Sequence, residues 1–253
     1  MFTALLDTCV LWPDLQRDFL LSLAIEGMYR PVWSSVVLEE LEYEQRAKLI
    51  ELGGDAGEAA KRARHLIEQM QQHFGDAEVS GWEGLEGTYG LPDPDDEHLV
   101  AAAVVASAGA IITLNVRDLS WDKLPRGLQV LTPKEFAANT VSLDPVRACA
   151  AVAAIARRSG RFGPNRTEED ILEILVRRYG MTSAVEMMQQ AAADTVNLRP
   201  PQPRVNESES HRNAHASRTE RQGGPTSNAL NRPTRVSAEG RPAPRLPPNV
   251  PSP

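Results

Sequence analysis

Cysteine is nearly missing from this chain. Only Cys9 and Cys149 occur, too few and too far apart for a disulfide framework or a zinc signature. Long apolar runs are missing as well. None approaches the ~18–20 residues that cross a bilayer, so no membrane contact is expected. The opening MFTALLDTCVLW carries an acid where a signal peptide needs its apolar region, and it lacks a basic n-region. No GxGxxG and no GxxxxGKS/T is present, which removes the usual dinucleotide and P-loop fingerprints. These absences point to a reducing, cytoplasmic setting and to chemistry built from other side chains.

What is present is unevenly spread. Residues 198–253 hold 11 of the 19 prolines, nine arginines against four glutamates, and no aromatic residue. That tail carries +5 while the whole chain is −7, so residues 1–197 carry −12. The tail cannot bury enough apolar surface to offset ordering entropy and is expected to be disordered. The 253 residues, 42% apolar and 24% charged, otherwise suffice for one sizeable core and a small appendage.

Strand and helix signals alternate over residues 1–140. Phe2–Asp7 reads as a buried strand closed by an acid. A helix is expected near Pro13–Glu26, then a strand at Pro31–Trp33. Ser34 or Ser35 caps a helix reaching Gly53-Gly54, and Asp55 with Glu58 opens another that reaches Phe74. Ala77–Val79 reads as a short strand. Asp93 before Pro94 makes a helix start, and the apolar stretch EHLVAAAVVASA should be a buried helix ending at Gly109. AIITL (Ala110–Leu114) and Leu128–Leu131 complete the strands. Such alternation predicts an α/β fold with a parallel central sheet. Residues 141–197 read as three helices forming a small all-α accessory domain. Ile155, Ile171, Ile174, Leu175, Tyr179, Val185 and Met188 are its candidate core.

Ligands of open parallel sheets bind beyond the carboxyl ends of the strands. Asp7 ends the first strand. Thr113 and Asn115 end the AIITL strand, with Asp118 just beyond. Asp93, Asp95 and Asp96 open the helix leading into that strand, and Glu40 lies in the helix after strand two. Four acids from four segments can meet on one rim. Carboxylates packed together repel, and a divalent cation with hard oxygen preference, Mg²⁺ or Mn²⁺, relieves this. Such an ion activates water and neutralises charge on a phosphate, so the chemistry implied is phosphodiester hydrolysis. Duller roles compete at single positions. Asp93 can be a plain cap, Asp95 a solvated first-turn acid, His98 a satisfied core histidine, and Cys9 packing. An acid closing a buried strand, as Asp7 does, is costly unless paired or liganded.

Four segments also carry a resemblance: LLDTCVLWP with Asp7, WSSVVLEEL with Glu40, PDPDDEHLVAAAV with Asp96, and IITLNVRDL with Asn115 and Asp118. In this order, over about residues 1–137, they resemble the PIN-domain ribonucleases, in particular VapC-type toxins of bacterial toxin–antitoxin systems. The helical region beyond them resembles the extension of a longer subgroup. The resemblance implies a three-layer α/β/α fold and a Mg²⁺- or Mn²⁺-dependent endoribonuclease. It implies that Asp7 and Asp96 coordinate metal and that Glu40 and Asp118 complete the acidic set. Glu40 is preferred over Glu39 because Leu41 follows it. Either Asn115 or Asp118 faces the metal, and Asp93 or Asp95 can add outer contacts.

The partners implied are an RNA of the tRNA or rRNA class, a cognate antitoxin that puts a basic side chain into the acidic rim, and a second copy in a homodimer. Arg157, Arg158, Arg161, Arg166, Arg177 and Arg178 make the helical region basic. They suit either a solvated face or contact with an RNA backbone. Rival readings are a degenerate PIN module acting as a binding scaffold and a housekeeping RNA-processing nuclease. An aspartyl-nucleophile phosphatase would need a second Asp two residues after Asp7, where Cys9 stands.

Overall fold

Three successive apolar residues, Ala4, Leu5 and Leu6, are fully buried in strand β1 (Thr3–Leu6). Burial on both faces is the mark of a strand inside a parallel sheet covered by helices. In the computed structural model, which describes residues 1–119, 122–161 and 163–197, β1 lies between two parallel partners. Leu5 is in register with Val32 of β2 (Arg30–Val32) and with Ile111 of β3 (Ala110–Ile112). Ile111 in turn faces Val130 of β4 (Gln129–Leu131). The order is β2-β1-β3-β4, and flanking helices give the α/β/α arrangement expected.

The crossover from β1 to β2 contains α1 (Thr8–Leu11) and α2 (Asp14–Ile25). The crossover from β2 to β3 contains α3 (Ser35–Glu51), α4 (Ala56–His73), two 3₁₀ turns (Glu83–Leu85 and Pro94–Asp96) and α5 (Glu97–Val105). The chain therefore leaves β1 toward one edge of the sheet and leaves β3 toward the other. That reversal opens a crevice beyond the carboxyl ends of β1 and β3, where open α/β sheets take their ligands.

Three expected boundaries shift, each for a visible reason. The segment expected as a strand at Ala77–Val79 makes only an isolated parallel bridge between Trp33 and Glu78. Ser34 caps α3 immediately after β2, its Oγ accepting from the Val37 N–H at 3.2 Å, so no further strand is there to pair with. The helix expected from Asp93 divides in two. Asp93 caps the 3₁₀ turn, and Asp96 stands at the N-cap of α5. The apolar helix itself ends at Val105, where Val104 and Val105 are exposed.

Beyond β4, Thr132 and Glu135 form a capping box that opens α6 (Pro133–Leu143). Then come α7 (Pro145–Arg158), α8 (Glu168–Tyr179) and α9 (Thr182–Asn197). Gly180, at φ +66°, closes α8 in the left-handed region. Helix α7 packs on α2, and α9 packs on α6 and α7. Ile155, Ile171, Leu175, Val185 and Met188 are buried in one apolar cluster continuous with the core around the sheet. Arg158 Nη2 also reaches back to Ser22 Oγ in α2 at 2.7 Å. Among the described residues no helix is long and apolar enough to cross a membrane. The expectation for residues 198–253 lies outside the described residues.

Candidate active site

Asp7 follows β1 directly and is 9% exposed. It occupies the N-cap position of α1, yet its side chain makes no capping bond. The carboxylate turns across the sheet instead. Thr113, the residue after β3, is fully buried and its Oγ1 donates to Asp7 Oδ2 at 2.6 Å. Cys9 Sγ donates to the same oxygen at 2.9 Å and accepts from the Leu114 N–H at 3.2 Å. Burial, and then the charge of Asp7, push the Cys9 thiol up to about 12. Cys9 is therefore a neutral donor that steadies Asp7, a role beyond packing.

Asp96 repeats the pattern at α5. It too sits at an N-cap without capping. Its Oδ2 accepts from Asn115 Nδ2 at 3.1 Å, and the Asn115 N–H donates to Thr113 Oγ1 at 2.9 Å. One hydrogen-bonded path thus runs Asp96–Asn115–Thr113–Asp7, linking α5, the turn after β3, and β1. Burial first, then the negative charges of Asp7, Asp93, Asp118 and Glu40, push the Asp96 carboxyl up to about 6. Asp96 is thus within electrostatic reach of acids from separate segments.

Glu40 lies in the second turn of α3, on an exposed face, and its Oε2 accepts from Thr8 Oγ1 at 2.5 Å. Thr8 follows Asp7, so this bond carries the position of β1's end to α3. Behind it, His98 Nδ1 and Ser34 Oγ lie 2.8 Å apart, joining the starts of α5 and α3. His98 is buried and its pKa is lowered, chiefly by that burial. It is a core histidine that braces two acid-bearing helices.

The remaining acids divide. Asp93 Oδ1 accepts from the Asp95 N–H at 3.0 Å, the capping role, while its charge still acts on Asp96. Asp95 is exposed in the 3₁₀ turn, and Asp118 is half-buried in the loop after β3. Asn115, rather than Asp118, holds Asp96 by a hydrogen bond.

Glu97 is the residue that sequence reasoning missed. It is buried, and it accepts from the N–H groups of Tyr89, Gly90 and Leu91 at 3.2, 2.7 and 3.1 Å. Burial pushes its carboxyl up, and backbone donors more than offset that, holding it low. In a run reading DPDDEH it looks like one more solvated charge. Only its place on the apolar helix EHLVAAAVV hinted otherwise.

Residues 3–117 match the family model of the PIN domain. This stretch is similar to a PIN domain. The matched segment runs from the start of β1 to the turn after β3, and so holds Asp7, Glu40, Asp96, Thr113 and Asn115 but stops one residue short of Asp118. No curated protein and no solved structure matches the chain. PIN domains are generally metal-dependent nucleases, usually with Mg²⁺ or Mn²⁺.

The donor set of this stretch suits such an ion in kind. Asp7 and Asp96 carry carboxylates, hard ligands for a hard cation. Among the described residues no group of three or more His, Cys, Asp and Glu side chains is placed to hold a metal ion. Mg²⁺ does not require one, because it keeps several waters and takes one or two carboxylates. Asp7 and Asp96 supply that number. Among the described residues the hydrogen bonds to both fall on Oδ2, which leaves Oδ1 of each available. Burial first, and neighbouring acids second, raise the Asp96 carboxyl, and a cation would offset the second cause.

Proposed function

We propose that this protein is a Mg²⁺- or Mn²⁺-dependent endoribonuclease and the toxin component of a toxin–antitoxin system. The observation that carries the reading is the pair Asp7 and Asp96. Both stand at helix N-caps, neither caps, and a path of hydrogen bonds through Thr113 and Asn115 joins them at the β1–β3 crevice.

In this reading Asp7 and Asp96 hold the metal. When bound, the ion neutralises charge building on the scissile phosphate and lowers the pKa of an attacking water. Thr113 and Cys9 fix the direction of the Asp7 carboxylate, and Asn115 fixes that of Asp96. Glu40, steered by Thr8, and Asp118 orient water from the outer side of the rim. In-line displacement at phosphorus leaves 5′-phosphate and 3′-hydroxyl ends. An RNA of the tRNA or rRNA class is the substrate, a cognate antitoxin masks the acidic rim with a basic side chain, and the active unit is a homodimer working in the cytoplasm.

The test uses purified full-length protein and structured RNA. Cleavage is expected with Mn²⁺ or Mg²⁺ and is lost with EDTA or in Asp7→Asn. Full cleavage in EDTA would overturn the metal reading. Expression without a partner is expected to arrest growth. Harmless expression of active protein assigns it to RNA processing instead.

A further inference from the structure

The face of α3 that carries Glu40 also carries Tyr43 and Glu44, three and four residues on, where helical neighbours align. With Thr8 and Glu39 they line an open groove of about 380 Å³, toward the lower end of the range for small-ligand sites. The groove starts at Thr8, the residue after Asp7, whose hydroxyl is bonded to Glu40. Its lining thus includes the residue next in sequence to Asp7, one of the proposed metal pair.

Tyr43 is 69% exposed, whereas Tyr29 is buried and Tyr89 and Tyr179 pack against the core. Among the described residues Glu39 and Glu44 make no hydrogen bond or ion pair, so their carboxylates face the groove's surroundings unpaired. Three carboxylates along one wall repel a phosphate. They suit a neutral, planar group that offers N–H donors, and an exposed aromatic ring offers that group a stacking face.

We infer that this groove takes one unstacked nucleobase of the RNA next to the scissile phosphate. The base stacks on Tyr43 and donates its exocyclic amino group to Glu39 or Glu44. A carboxylate accepting from an amino group is a known base contact. Adenine, cytosine and guanine carry that group. Uracil does not, and its one N–H on the pairing edge, at N3, is flanked by two carbonyl oxygens that a carboxylate repels. The groove thus selects amino-bearing bases at the cleavage site. This inference rests on the nuclease reading above.

The experiment measures binding of labelled single-stranded oligoadenylate, oligocytidylate and oligouridylate to the full chain by fluorescence anisotropy in EDTA, where the nuclease reading expects no cutting. It then maps cleavage of a mixed-sequence RNA in Mn²⁺. The wild type is expected to bind the adenylate and cytidylate more tightly than the uridylate. Tyr43→Ala is expected to weaken those two by about fivefold to a hundredfold, the range for losing one base stack. Tyr43→Phe keeps them, and a Glu39→Gln/Glu44→Gln variant narrows the gap to uridylate. In Mn²⁺, Tyr43→Ala is expected to cut with a flattened base preference while remaining sensitive to EDTA.

Equal binding of the three oligomers, no binding of any, or unchanged binding and cleavage pattern in Tyr43→Ala would overturn the groove assignment. In the last case the exposed ring belongs to a protein contact. Tyr43-dependent binding without metal-dependent cleavage would overturn the nuclease reading and leave the groove standing.

Discussion

Thr113 Oγ1 donates to Asp7 Oδ2 at 2.6 Å across the seam between β3 and β1. Both groups are buried, and the same hydroxyl accepts from the Asn115 N–H. Thr113 thus sets the direction of one acid directly and of Asp96 through Asn115. Thr113→Val removes the donor and the acceptor together, leaving Asp7 Oδ2 to Cys9 alone and the Asn115 N–H without this acceptor, at a cost of about 1–3 kcal/mol. Cleavage is expected to fall by about tenfold or more, and Thr113→Ser to recover most of it. Rates in Mn²⁺ measured beside urea unfolding separate positioning from stability. A fully active Thr113→Val protein would remove Thr113 from the site.

The charge on Asp96 makes a prediction about the metal-free protein. Its carboxyl is pushed up to about 6, from an ordinary 3.8, by burial and by neighbouring acids. The folded state therefore holds this proton more tightly than the unfolded chain. The group costs nothing below about pH 4, and the penalty grows as pH rises from there through 6 and is full above it. Asp96→Asn is expected to be more stable than wild type at pH 7.5 by about 1 kcal/mol, a two-unit shift discounted for solvent screening. The gap should vanish at pH 4. Urea unfolding of both proteins at several pH values checks this, and an equal or less stable variant at pH 7.5 would contradict it.

Metal addition should reverse the order of stabilities. An ion that binds only the folded state raises the melting temperature with its concentration. Mn²⁺ is expected to stabilise the wild type, and to do so much less in Asp7→Asn or Asp96→Asn. Cleavage by either variant should drop by about a hundredfold or more, given the several kcal/mol a metal contributes to such a transition state. Equal melting shifts in all three proteins would place the ion elsewhere.

Ser34 serves two helices, accepting from the Val37 N–H and meeting His98 Nδ1. Ser34→Ala removes a cap and leaves a buried ring nitrogen unpaired, which should cost about 1–2 kcal/mol in urea unfolding. Ser34→Thr, which keeps the hydroxyl, should lose less.

Glu97→Gln should free the segment that Glu97 holds. Hydrogen exchange at Tyr89, Gly90 and Leu91 is expected to speed up, while exchange in β1 stays unchanged. Unaltered protection at those three amides would show that the carboxylate does not hold the loop.

Much of the fold was readable because local chemistry and pattern agreed. Ala4–Leu6 and Ala110–Ile112 are apolar runs, and Asp55 is a cap in sequence as in structure. The boundaries that moved depend on tertiary neighbours. Ala77–Val79 has strand chemistry but lacks a long partner, and DPDD reads as one helix start although it holds a 3₁₀ turn and a second start. At the site, Asp7 stood out because an acid closing a buried strand is costly unless paired or liganded, whereas Asp96, one of several acids at a helix start, was singled out by the resemblance. The contacts that hold them did not stand out. Thr113 and Asn115 were visible only as residues near a strand end. The pairing of Ser34 with His98 spans 64 positions, and nothing local announces it.

Asp96, Glu97 and His98 are consecutive, and they serve three different neighbours: the crevice, the loop at 89–91, and the start of α3. In a helix each step of one residue turns the side chain by roughly 100°, so three adjacent residues point three ways. The start of α5 therefore works like a three-way junction whose arms are indexed by the chain itself. Replacing one arm damages one connection. Deleting a single residue before Asp96 rotates all three at once, putting a clamp where the acid belongs and an imidazole where the clamp belongs. Length, more than composition, is what this short segment has to preserve.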